Sequence, residues 1–191
     1  MTARRTALLV IAFAFLAAGC GSSRYTVIEP PKESVRDFKT LEIRDFTSNL
    51  QDADSIRLAD QFADRLYEAV QEDRKEHPGE SIFEQVVRGA DATGEVLVLD
   101  GTILSFEKGS RAKRYFIGFG AGKAFCTIQS TFTDKASGQE VLKTNFDGEL
   151  SMSFFGGSAD EAVDAVVAAY IDYLRDYFAK STAKSLVRMP C

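Results

Sequence analysis

Histidine is almost missing from this chain: His77 is the only one in 191 residues. It sits beside Pro78 where a helical pattern ends, and no serine stands in a Gly-x-Ser-x-Gly elbow, so a histidine-dependent nucleophilic hydrolase has no support. Cysteine is scarce as well. One histidine together with Cys126 and Cys191 does not compose a zinc site, and no metal or cofactor is expected. Positive charge is not in excess; a formal net charge of −5 argues against broad nucleic-acid binding. The longest apolar run, Ala7 to Ala18, has twelve residues, too few to cross about 30 Å of hydrocarbon as a helix. Internal repeats and low-complexity segments are absent too.

The apolar run does have another meaning. Arg4 and Arg5 precede it, and small residues lead from it to a cysteine in "LAAGC", the layout of a cleaved signal. "LAAGC" resembles the lipobox of bacterial lipoproteins, with Leu16 four rather than three residues before Cys20 and Ala17 in the usual leucine position. That resemblance implies that residues 1–19 are removed and that Cys20 is the lipidation site, acylated on its thiol and its amine. Several acyl chains make a durable anchor, at about 0.8 kcal/mol per buried methylene. Gly21 stands where an aspartate would favour retention in the inner membrane, so the expected location is the periplasmic face of the outer membrane. Cleavage leaves 172 residues, enough for one domain with a core, and changes the formal charge from −5 to −7. In that oxidising compartment Cys126 is either a buried free thiol, as its alternating strand pattern suggests, or half of a bridge to Cys191.

Residues 20–37 carry small residues and the pair Pro30-Pro31 and read as a lipidated N-terminus followed by a tether of up to about 50 Å. Residues 38–191 read as a single α+β domain. "FKTLEIRDF" alternates as a half-buried strand, and an amphipathic helix follows from about Asp54 to Glu76, with Ile56, Ala59, Phe62, Ala63, Leu66 and Val70 on its apolar stripe. "SIFEQVV", "EVLVLDGTILSFE" and "AFCTIQSTFTD" are further strands. Leu142, Thr144, Phe146, Gly148, Leu150, Met152 and Phe154 line the core face of the last one. Ser158 and Glu161 have capping-box spacing and open a second helix, whose apolar face is Val163, Val166, Val167, Tyr170, Ile171, Leu174 and Phe178. Two one-sided helices need a sheet to cover. The expected fold is a two-layer α+β domain: a mostly antiparallel sheet of about five strands, with both long helices on one face and a meander formed by the later strands.

One stretch, "RYFIGFGAGKAF", invites a phosphate-loop reading. A Walker loop needs a glycine five residues before its Gly-Lys pair and a Ser or Thr after it, but those positions hold Ile117 and Ala124. A dinucleotide fingerprint fails on spacing, because Gly118, Gly120 and Gly122 alternate. With a period of two they share one face of a strand. Such a strip suits close approach of a neighbouring element or a bulge; a docking groove is the other option. Just upstream, Lys108, Arg111, Lys113 and Arg114 are a basic cluster in an acidic domain. They read as a solvated hairpin tip, or as a contact with anionic headgroups or an acidic partner. Asp147 and Glu149 could be offered as a glycosidase pair, yet they lie in a run of polar positions that reads as a solvated sheet face.

"VLDGTILSFEKGSRAKRYFIGFGAGKAFCTIQSTFTDKASGQEVL", followed by Gly156-Gly157 and a long helix, resembles the bacterial lipoproteins grouped as domain of unknown function 4410. The family implies no catalytic residue. A weaker, architectural likeness is to the periplasmic α/β domain shared by the curli channel lipoprotein CsgG and the N-terminal domain of TolB, which implies work by assembly or by binding other envelope proteins. The expected function is therefore a non-enzymatic, lipid-anchored envelope module for binding or assembly. It would be partnered by the membrane through its N-terminal lipid and by another envelope protein or itself, with no nucleic acid and no nucleotide. A carrier of a small apolar or lipid-like ligand is the alternative, which thirteen phenylalanines after residue 19 would allow.

Overall fold

The computed structural model describes residues 21–30, 35–89, 91–108, 124–150 and 159–179. The chain forms β1 (Gly21–Glu29), a short 3-10 turn (Val35–Asp37), β2 (Thr40–Ser48), α1 (Ala53–Glu76), β3 (Gln85–Arg88), β4 (Val96–Lys108), β5 (Ala124–Asp134), β6 (Glu140–Leu150) and α2 (Ala159–Phe178). All six strands make one sheet in the order β1-β6-β5-β4-β2-β3. The expected meander is there: β4, β5 and β6 pair antiparallel. The other half of the sheet is parallel, because α1 carries the chain back so that β3 and β4 both run alongside β2 in its own direction.

Two expectations are corrected here. The sheet has six strands rather than five, and the additional one lies in the presumed tether: Gly21–Glu29 pairs antiparallel with β6. The reason is alternation. Tyr25 and Val27 pack against the core while Arg24 and Thr26 are exposed, and Pro30 follows the strand. The Tyr25 ring meets Tyr173 edge-on at 5.0 Å, and its hydroxyl donates to Asp176 at 2.7 Å.

Both helices cover the same sheet face. Leu41 and Ile43 of β2, Leu97, Leu99 and Ile103 of β4, Ile128 and Phe132 of β5, and Leu142 and Phe146 of β6 form one core with Phe62 and Leu66 of α1 and Val166, Tyr170 and Tyr173 of α2. α1 opens on Asp52, whose side chain accepts from the Ser55 amide at 2.9 Å. Its stripe begins with Ser55 and Leu58, and Ile56, placed on that stripe by periodicity, is 46% exposed. On α2 the buried face is centred on Ala162, Val163, Val166, Ala169, Tyr170 and Tyr173, with Val167, Ile171 and Leu174 at its margin. Tyr170 stacks on Phe146 with ring centroids 3.5 Å apart and hydrogen-bonds Ser130, which is itself fully buried. The Ser158–Glu161 capping box lies outside the described residues or side chains.

Two glycines let these layers close. A side-chain carbon at Gly148 would collide with the Ala162 carbonyl and come within 2.7 Å of the Val166 side chain. One at Gly101 would come within 2.5 Å of the Phe46 ring. The Gly148→Ala variant should lose about 3 kcal/mol, since a helix backbone has to move away. Gly138→Ala, at φ +71° in an open turn, should lose only about 1 kcal/mol. Denaturant melts of the two variants test this; equal losses would contradict it.

Candidate interaction surfaces

Four strands end in one row. Gly21 of β1 pairs with Leu150 of β6, Leu150 with Ala124 of β5, and Ala124 with Lys108 of β4. At about 4.8 Å per strand the row is about 14 Å long. Cys20 immediately precedes Gly21, and the chain from Lys108 to Ala124, which contains Arg111, Lys113, Arg114, Gly118, Gly120 and Gly122, leaves and re-enters the sheet here. Lys108 closes β4; Cys20, the other basic residues and the three glycines lie outside the described residues. Phe125, next to the row, is 37% exposed.

Among the described residues, no helix covers the sheet face opposite α1 and α2. Across β5 and β6 it is polar: Thr127 donates to Asp147 at 2.7 Å and Gln129 to Asn145 at 3.3 Å. Asp147 is thus tied to its neighbouring strand, in a register that sets it opposite Arg24.

Toward β2 this face deepens into a groove of about 570 Å³ lined by Glu42, Arg44, Asp45, Arg88, Asp91 and Asp100, among others. Glu42 is 2% exposed on a sheet face where a polar residue was expected to be wet. Lys135, from the β5–β6 turn, crosses over it and donates to Oε2 at 2.6 Å and to the Ala92 carbonyl at 2.8 Å; Arg44 donates to Oε1 at 2.8 Å. Burial opposes the charge of Glu42, but the Lys135 and Arg44 hydrogen bonds outweigh it and hold the carboxyl below its usual range. Asp100 goes the other way, raised chiefly by burial and further by Glu140 against the pull of Arg44. Arg88 is held by Asp45 at 2.5 Å and Asp64 at 2.7 Å. The groove is a network of opposed charges in which carboxylates outnumber cations. Periodicity missed it because Lys135 reaches Glu42 across 93 residues.

His77 caps the end of α1, its amide donating to the Asp73 carbonyl at 2.9 Å. Arg175 of α2 reaches both Asp73 and His77, which joins the two helix ends beside a crevice of about 80 Å³. Cys126 is a buried free thiol, pushed up to about 12 by burial and by the nearby Asp147 charge; Cys191 lies outside the described residues. Among the described residues no cluster of three or more potential metal ligands occurs, and no helix is long and apolar enough to cross a membrane.

This combination of a six-stranded mixed sheet and two helices defines the class. PelC from Paraburkholderia phytofirmans, solved as a dodecamer, has a similar fold: TM-score 0.53 at 10% identity, over 85% of this chain and 100% of that one. A variant of PelC in another crystal form superposes with TM-score 0.50 at 12% identity, covering 82% and 98%. The lipoprotein GNA1162 from Neisseria meningitidis gives TM-score 0.35 at 13% identity, covering 72% and 98%. A search of curated proteins finds no match. The family model described as "Domain of unknown function (DUF4410)" matches residues 34–150, and the chain belongs to that family.

Lys135→Met retains the aliphatic stem but leaves Glu42 with Arg44 alone, and should cost about 2–3 kcal/mol near neutral pH. Because the folded Glu42 carboxyl lies below its unfolded value, its stabilisation is full above the ordinary glutamate range and fades as pH falls through the folded value. In the variant that fading should start at higher pH. Adding Glu42→Gln to Lys135→Met should recover at least half of the loss, as read from denaturant melts between pH 4 and 7.

Proposed function

We propose that this protein is a non-enzymatic lipoprotein, anchored through Cys20 at the periplasmic face of the outer membrane, that acts as an assembly module by associating with further copies of itself. The observation that carries the reading is the sheet's pair of open sides. Among the described residues β1 has only β6 beside it and β3 only β2; on the β3 side the Val86 carbonyl already accepts from Gln71 at 3.0 Å, so the longer open row, for water or another chain, is that of β1. Two different sides on one protomer suit a head-to-tail contact, the kind that closes into rings. The likeness of fold to PelC, whose crystals hold a dodecamer, supports this choice over a solitary domain. The lipobox and membership of the DUF4410 family support the anchor.

The carrier alternative draws less support. Between sheet and helices the described space is filled by Phe46, Phe62, Phe132, Phe146, Tyr170 and Tyr173. The roomier groove is lined by carboxylates and guanidinium groups, which suit an apolar ligand poorly.

The Cys20→Ser variant should fail to incorporate labelled fatty acid and should leave the membrane fraction, while the acylated wild-type chain should sediment in detergent as a multimer. Fatty-acid incorporation by the serine variant would overturn the anchor. A wild-type chain that stays monomeric at every concentration would overturn self-association.

A further inference from the structure

We infer that two copies of this chain join edge to edge through β1, antiparallel about a two-fold axis at Thr26, so that one sheet runs on across both. This rests on the self-association proposed above and names its contact. Among the described residues only β6 lies beside β1, and from Gly21 to Val27 the two pair residue for residue, which leaves an unbroken open row on the other side. Gly21–Glu29 holds neither lysine nor proline, residues that commonly guard such edges. Of the four large apolar side chains exposed among the described residues, two flank this row: Ile28, 43% exposed, on the strand, and Tyr177, 38% exposed, whose ring centroid lies 6.0 Å from that of Tyr25.

The occupant follows from the strand's own sequence. In an antiparallel pair centred on Thr26, Tyr25 stands opposite Val27 of the second copy and Val27 opposite its Tyr25. Both are aromatic to β-branched pairs on the helix side, where each Tyr177 flanks the seam. The other face is complementary in charge. The register shift between Val27 and Glu29 turns Glu29 to the face of Arg24, since their partners Lys143 and Asp147 stand four residues apart on β6. Arg24 then lies opposite Ile28 of the second copy, one position from its Glu29, and the two-fold axis makes that contact twice. The charges of β1 cancel, so two such strands meet without the repulsion that a net charge of −5 imposes elsewhere. β3 is a poorer mate: it has four residues, Gln85–Arg88, and its Val86 carbonyl is taken by Gln71 at 3.0 Å.

Cross-linking tests the seam. Thr26 and Gln85 are exposed, and each can be replaced singly by cysteine in the acylated full-length protein carrying Cys191→Ser. Cys126, 1% exposed, should stay out of reach of the oxidant. Residues directly opposite each other in an antiparallel pair have Cβ atoms about 5 Å apart, close enough for a disulfide to form on mild oxidation. In detergent, at a concentration where sedimentation shows the multimer, Thr26→Cys should therefore give at least tenfold more linked dimer than Gln85→Cys. A multimer in which Thr26→Cys links no better than Gln85→Cys, or links only when the two variants are mixed, would overturn the two-fold seam and leave self-association standing. A chain that stays monomeric at every concentration would overturn both.

Discussion

The closeness of α2 to β6 at Gly148 is the constraint on which most of this molecule depends. With hydrogen in place of a side chain there, the backbone at Ala162 settles against the strand and Val166 fills the adjoining space. That depth lets Tyr170, one turn on, stack on Phe146 and reach Phe46 and Phe62 at the boundary with α1. It also brings Tyr173 and Tyr177 to Tyr25. Without a helix seated so deeply, β1 would have little to pack against. A nine-residue edge strand held by one neighbour and no core contact is marginal in water.

β1 in turn ties the first described residues to the rest of the fold. Where composition suggests a tether, Gly21–Glu29 is held in register along β6, so the residues directly after Cys20 belong to the sheet. β1 and β3 are its outer strands among the described residues. The buried Glu42 network has a separate task. It binds the β5–β6 turn to β2 through Lys135, stiffening the end of the sheet opposite the Gly21–Leu150 pair.

Much of this was legible in the residues. The period-two pattern of Leu142, Thr144, Phe146 and Gly148 marks the core face of β6 that the structure shows, and the stripe of Ala59, Phe62, Ala63, Leu66 and Val70 is the buried side of α1. The misreadings have physical causes. Tyr25 and Val27 are only two inward residues in a stretch otherwise small or polar apart from the exposed Ile28 and followed by prolines, so composition hid a strand that tertiary contacts with α2 stabilise. Ile56 had helical spacing, but in the same turn its neighbour Ser55 takes the buried position and Ile56 is left at the outer margin of the stripe. Glycine drew attention at Gly118, Gly120 and Gly122 because three alternate there, yet the close approaches among the described residues are at single glycines, Gly148 and Gly101. One missing side chain suffices for a helix to approach. The charge groove could not be read from spacing, since Glu42, Asp100 and Lys135 are brought together only by sheet order.

The central claim is that the residues directly after Cys20 are a strand of the sheet. Hydrogen exchange on the protein, followed by mass spectrometry of the peptide covering residues 21–29, addresses it directly. The account predicts that the hydrogen-bonded amides of this peptide are protected and open together with those of residues 140–150, with slowing of at least about a hundredfold. Exchange at the rate of an unstructured chain across residues 21–29, beside a protected β6, would contradict it.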